Sequence, residues 1–120
     1  MAKTNIEYFN YTLNLFVNDI IKIKPIYKET LEEYYKELLD SETCNDDKYI
    51  KRFMRKTVEY KTLISSKNED LFNNSIILLK NVDFHELWHS EGFTKENKDT
   101  IWEYIQTMYV LGETIISDSD

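Results

Sequence analysis

Apolar residues recur along most of this chain at helical spacing. Ile6, Phe9, Leu13, Phe16 and Ile20 follow one another at intervals of 3, 4, 3 and 4, with Val17 alongside. That is one stripe along a helix. Thr4-Asn5-Ile6-Glu7 ahead of it has the form of a capping box, in which hydroxyl and carboxylate each satisfy a backbone amide of the first turn. The helix is predicted to end before Pro25, because proline cannot continue it. Proline suits a first turn, so a second helix is predicted from Pro25 to Leu39. Tyr27, Leu31, Tyr34, Tyr35 and Leu38 form its buried side, and Glu29, Glu32, Glu33 and Lys36 its wet side.

Residues 40–47 read as a polar loop that caps a third helix. This helix carries Tyr49, Ile50, Phe53, Met54 and Val58 on one side and continues toward Leu63 or Ile64. Ser65 to Asp70 is a connection, and Leu71 to Leu79 is predicted as a strongly apolar fourth helix that breaks over Asn81 to Asp83. Asp83 then caps a short helical turn over 84–89, and Gly92 ends it. Thr94 opens a last helix with Ile101, Ile105, Met108, Gly112 and Ile115 in one line and Trp102 and Tyr109 beside it. Residues 117–120 are polar and expected to fray. No repeat or domain boundary interrupts the pattern, so the prediction is a single all-α domain, a compact bundle of five or six helices.

Composition supports that class. Two glycines and one proline are too few for the many turns of an all-β fold. Hydrophobic residues at 42% and aromatics at 14% are enough to build a core in 120 residues. The single cysteine, Cys44, rules out an internal disulfide. With no secretory pattern and no apolar run of membrane length, an intracellular protein that is not secreted is expected. The sequons at Asn10-Tyr11-Thr12 and Asn73-Asn74-Ser75 are then expected to stay unused.

Charge changes the picture at one place. The chain carries −7 overall, which disfavours general affinity for nucleic acid. Residues 48–56 run against this, with Lys48, Lys51, Arg52, Arg55 and Lys56 and no acid. Their spacing of i, i+3, i+4, i+7 and i+8 gathers five cations on one helix face. They are the candidate residues for a partner or a phosphate, with an acidic protein surface favoured over nucleic acid. The plain alternative is a solvated face paired with Glu32, Glu33, Glu37 or Asp40. Nine tyrosines and two tryptophans fall mostly at core spacing, and some can serve as anchors for a partner.

The one enzyme-like arrangement is His85-Glu86-Leu87-Trp88-His89, which holds both histidines of the chain. On a helix two imidazoles four apart can share a zinc ion, with Glu86 as general base. Extended to Gly92 and Lys95 the run is similar to the metzincin signature, but Lys95 stands where the third ligand belongs, and a protonated amine has no lone pair to give. With Asp83 as a cap, His85 falls in a first turn, and Phe84, Leu87 and Trp88 serve as packing residues. The motif is therefore read as coincidental, with no catalytic residue, no metal ligand and no cofactor. A zinc peptidase using His85, His89 and Glu86 is the alternative, as is a non-catalytic zinc or nickel contact through the same pair.

The closing half, from Asn68-Glu69-Asp70-Leu71-Phe72 through Val82-Asp83-Phe84 to Ile101-Trp102-Glu103-Tyr104-Ile105-Gln106-Thr107-Met108-Tyr109, resembles small, uncharacterised helical proteins of nucleocytoplasmic large DNA viruses. The resemblance covers about residues 68–109 and implies a helical fold and a viral setting, in a virion or viral factory, with no activity. The expectation is a non-enzymatic interaction or scaffold protein that binds another protein through a helical surface. A homo-oligomer is compatible with it, and a nucleic-acid factor working through 48–56 is a further alternative.

Overall fold

A computed structural model describes residues 4–41, 44–74 and 76–118 of the chain, apart from the side chains of Asn74 and Asp118. The fold is an all-α bundle, with no strand among the described residues. Its frame is two long helices, α1 (Asn5–Ile23) and α7 (Lys95–Asp118). Between them lie α2 (Lys28–Tyr34), α3 (Lys36–Leu39), α4 (Lys48–Thr57), α5 (Lys61–Ser65) and α6 (Phe84–Trp88).

Thr4 caps α1, its hydroxyl accepting from the Glu7 amide at 3.1 Å. Phe9, Leu13, Phe16, Val17 and Ile20 are buried, as their spacing predicts. Thr94 does the same for α7, accepting from the Asn97 amide at 3.1 Å. The two helices run antiparallel. Tyr8 and Thr12 lie beside Thr107, Val110 and Leu111, while Asp19 accepts a hydrogen bond from Tyr104 at the other end. Phe16 stacks on Tyr104 with ring centroids 5.4 Å apart. Helix α4 closes the third side, with Phe53 edge-on to Phe9 at 5.6 Å. At Gly112 of α7 a Cβ would meet Met54 Sδ at 2.5 Å, so the glycine is what lets α4 and α7 approach.

Three predicted helices are interrupted. The segment 25–39 starts as a 3-10 turn over Pro25–Tyr27 and breaks at Tyr35, whose φ of −101° and ψ of 22° are not helical. Tyr35 turns into the core, and its hydroxyl accepts from the Lys80 amide at 3.2 Å. The third predicted helix stops at Thr57, passes through a 3-10 turn over Val58–Tyr60 and resumes as α5. Buried Thr57 donates back to the Phe53 carbonyl at 2.8 Å, a bond that bends helices, and Val58 is left 59% exposed instead of joining the core.

The largest departure is Leu71 to Leu79. It is a 3-10 turn over Glu69–Asn74 followed by irregular backbone toward Asp83, with Asn81 at a φ of 60°. Leu71, Phe72, Ile76, Leu78, Leu79 and Val82 are all buried. On a straight helix these six would share one side, and Ile77, which would face away from it, is 48% exposed. The irregular path brings the same six side chains onto the core.

Side-chain amides supply the polar groups that irregular backbone needs. Asn10, 1% exposed, donates to the carbonyls of Cys44 and Asp46, both at 2.9 Å. Asn14 donates to Leu38 and Gln106 to Ile64. The Asn10 amide nitrogen is thus buried and engaged within the fold, so that sequon presents no accessible acceptor. Asn73 of the other sequon is exposed and hydrogen-bonded to Asp70. The final residues of the polar tail, Ser119 and Asp120, lie outside the described residues. No helix among the described residues is long and apolar enough to cross a membrane.

Candidate functional site

His85 lies in α6, a five-residue helix capped by Asp83, which accepts from the Glu86 amide at 3.1 Å, and His89 is the residue that follows it. Phe84, Leu87 and Trp88 are buried, so the geometry of a single turn leaves His85, Glu86 and His89 exposed. His89 is already past the helix, with a φ of −98° and ψ of 5°. The imidazole centroids are 4.8 Å apart and the rings are tilted by 63°. The Glu86 carboxylate stands near Tyr27, whose phenol is raised from its usual value by burial first and by that charge second. Among the described residues no third His, Cys, Asp or Glu joins the pair in a metal-holding group.

The flanks of the motif serve packing. The Trp88 ring stacks on Phe72 at 4.0 Å and meets Trp102 edge-on at 5.7 Å. Its indole N–H donates to Glu69 at 2.8 Å, and this bond is the main reason the Glu69 carboxyl lies below its ordinary value. Gly92 stands beyond the end of α6 rather than at it. Its φ of 87° shapes a turn that brings Phe93 under Trp88, with rings 5.5 Å apart and the Phe93 amide on the Ser90 carbonyl. The glycine therefore places an aromatic ring, where a metzincin glycine would deliver a ligand.

The five cations of 48–56 all sit on α4, opposite buried Tyr49, Ile50, Phe53 and Met54. The face divides in two. At its start Lys48 pairs with Glu37 at 3.1 Å and Asp46 at 3.8 Å, and Lys51 with Asp47 at 3.3 Å. The hydrogen bond to Glu37 is the main cause of a raised Lys48 pKa. Further along, Arg52, Arg55 and Lys56 have no carboxylate partner within 4.0 Å among the described residues. Arg52 instead donates to the Tyr34 hydroxyl and lies 5.4 Å over that ring. The Lys56 ammonium is lowered from its usual value, chiefly by partial burial and then by the charges of Lys80 and Arg52.

Lys80 is the member of this cluster that the periodicity did not reveal. It follows the apolar run in irregular backbone and approaches α4 from outside, 5.4 Å over the Tyr34 ring.

Compared with protein-family models, with curated proteins and with solved structures, the chain matches none.

Proposed function

We propose that this protein is a non-enzymatic helical interaction module that holds an acidic segment of a partner protein across the exposed face of α4. The observation that supports the reading is the unpaired half of that face: Arg52, Arg55 and Lys56 carry no carboxylate partner among the described residues of a chain whose net charge is −7. In so acidic a protein an unneutralised cationic face is the exception that charge complementarity would use. The face is also rigid, because the opposite side of α4 is locked in the core.

From Lys48 to Lys56 the axial rise is about 12 Å, which matches about four residues of extended chain. Arginine suits the role because its planar fork meets a carboxylate through two hydrogen bonds. An acidic protein segment is preferred to duplex nucleic acid, since the remaining negative surface repels a long polyanion. A second reading through His85 and His89 would need a third donor, and none among the described residues stands with them.

Fluorescence anisotropy with a labelled acidic peptide and with duplex DNA, at low and high salt, tests the proposal. Binding of the peptide that weakens with salt, and a loss of at least tenfold on Lys51→Glu/Arg55→Glu, is the expected result. Preference for DNA, or affinity untouched by the charge reversal, would overturn it.

A further inference from the structure

We propose that the cavity between α2, α4 and the 76–83 segment binds the terminal oxyanion of a phosphate or phosphomonoester, held by Arg52, Lys56 and Lys80 and by the hydroxyls of Tyr34 and Tyr35. The cavity holds about 30 Å³ and is partly open to solvent. That is room for roughly two water molecules, and so for the end of a tetrahedral anion whose ester bond points outward. Leu13, Phe53 and Met108 form its floor, so charge placed there is poorly screened.

The donor inventory carries the argument. Tyr34 and Tyr35 hydroxyls already accept, from the Arg52 guanidinium and the Lys80 amide respectively. A phenol that accepts has its own proton left to give, and neither proton has an acceptor among the described residues. Three cations and two O–H groups therefore converge with nothing negative among the lining residues. Glu33 lines the adjoining depression with Tyr34 and Lys80, and it forms no ion pair with Lys80. Clustering three cations costs free energy that a bound anion would return. The depressed Lys56 ammonium and the Tyr35 phenol, which burial holds protonated with a pKa of about 12, agree with a site built of donors.

This inference stands on the cavity; it shares Arg52 and Lys56 with the acidic-partner reading but needs Lys80 and the tyrosine hydroxyls, which that reading does not use. The test is thermal stability and phosphorus-31 line broadening of the full chain with inorganic phosphate and with methyl phosphate, against chloride at matched ionic strength. Phosphate is expected to raise Tm where chloride does not. A stronger effect of methyl phosphate assigns the site to an ester-linked group, and a stronger effect of phosphate to the free ion. Lys80→Met, an exposed change that spares the core, is expected to weaken phosphate at least tenfold, equivalent to about 1.4 kcal/mol. Tyr34→Phe should weaken it by a smaller factor, and Arg55→Gln should leave it unchanged. Equal effects of phosphate and chloride, or an unaltered response in Lys80→Met, would overturn the site whatever the acidic peptide does.

Discussion

Trp88 and His89 are neighbours in the chain with opposite consequences for its stability. Trp88 is 1% exposed, stacked on Phe72 and bonded to Glu69, whereas both imidazoles of the zincin-like motif lie on the wet side of α6. Trp88→Ala is therefore expected to cost about 3–5 kcal/mol, and His85→Ala or His89→Ala no more than about 0.5 kcal/mol. Urea unfolding of the three variants measures this, and a histidine variant as costly as the tryptophan one would mean the pair has a structural load. The same clasp gives a pH dependence. Glu69 is depressed from its ordinary 4.5, mainly by the Trp88 hydrogen bond, so the folded state prefers the carboxylate. A depressed acid contributes stability above its unfolded pKa and loses that contribution as pH falls through the folded one. Stability should thus decline below about pH 4.5 with a contribution that Glu69→Gln removes, since the amide oxygen still accepts from the indole. Stability curves between pH 6 and 3, followed by tryptophan fluorescence, check the difference between wild type and variant.

At the scale of elements, the pair α4 and α7 depends on one missing side chain. A methyl group at Gly112 would stand 2.5 Å from Met54 Sδ, and Met54 is 5% exposed with little room to move. Alanine there would gain about 1 kcal/mol of helix propensity against an overpacking cost of about 1–3 kcal/mol. Gly112→Leu has no such ambiguity and is expected to destabilise by more than about 2 kcal/mol. Combined with Met54→Ala it should recover part of the loss, giving a coupling of at least about 0.5 kcal/mol in a double-mutant cycle; strict additivity would deny the contact. The sequence showed Gly112 on the buried line of α7 but not what it faces, because periodicity reports a helix's own face and nothing about its neighbour. Helices α1 and α7 were legible for the same reason, each being long, capped and apolar on one side. Leu71 to Leu79 was not, since the four consecutive apolar residues Ile76 to Leu79 point around the whole of a helix and set no phase. The break at Tyr35 was equally hidden, and the hydroxyl there meets the Lys80 amide, 45 residues away. In the candidate site the basic positions of α4 were legible from their spacing. Lys80 was not, because it lies in irregular backbone, and the spacing of Tyr34 and Tyr35 does not show where their hydroxyls end.

Across the whole molecule, α7 joins parts that would otherwise be separate. It packs along α1, receives Met54 from α4, bonds the end of α5 through Gln106 and carries Trp102 into the cluster around Trp88. The buried apolar residues accordingly form one contiguous core from Phe9 to Tyr109. Helices α1, α4, α5 and α6 all rest on α7, so unfolding should be a single cooperative transition, as in most domains of this size. Two probes see different halves of the argument. Trp88 and Trp102 lie 5.7 Å apart, so tryptophan fluorescence reports the cluster closed by α6. Far-ultraviolet circular dichroism is dominated by α1, α4 and α7, the three longest helices. In a urea titration the two signals should have the same midpoint and slope. The alternative has a definite signature, because residues 69–93 hold little regular hydrogen bonding and rely on Trp88 and Glu69 to stay closed. If that segment opened as a unit of its own, fluorescence would change at lower urea than circular dichroism, and the clasp over α6 would be a separately folding part of the protein.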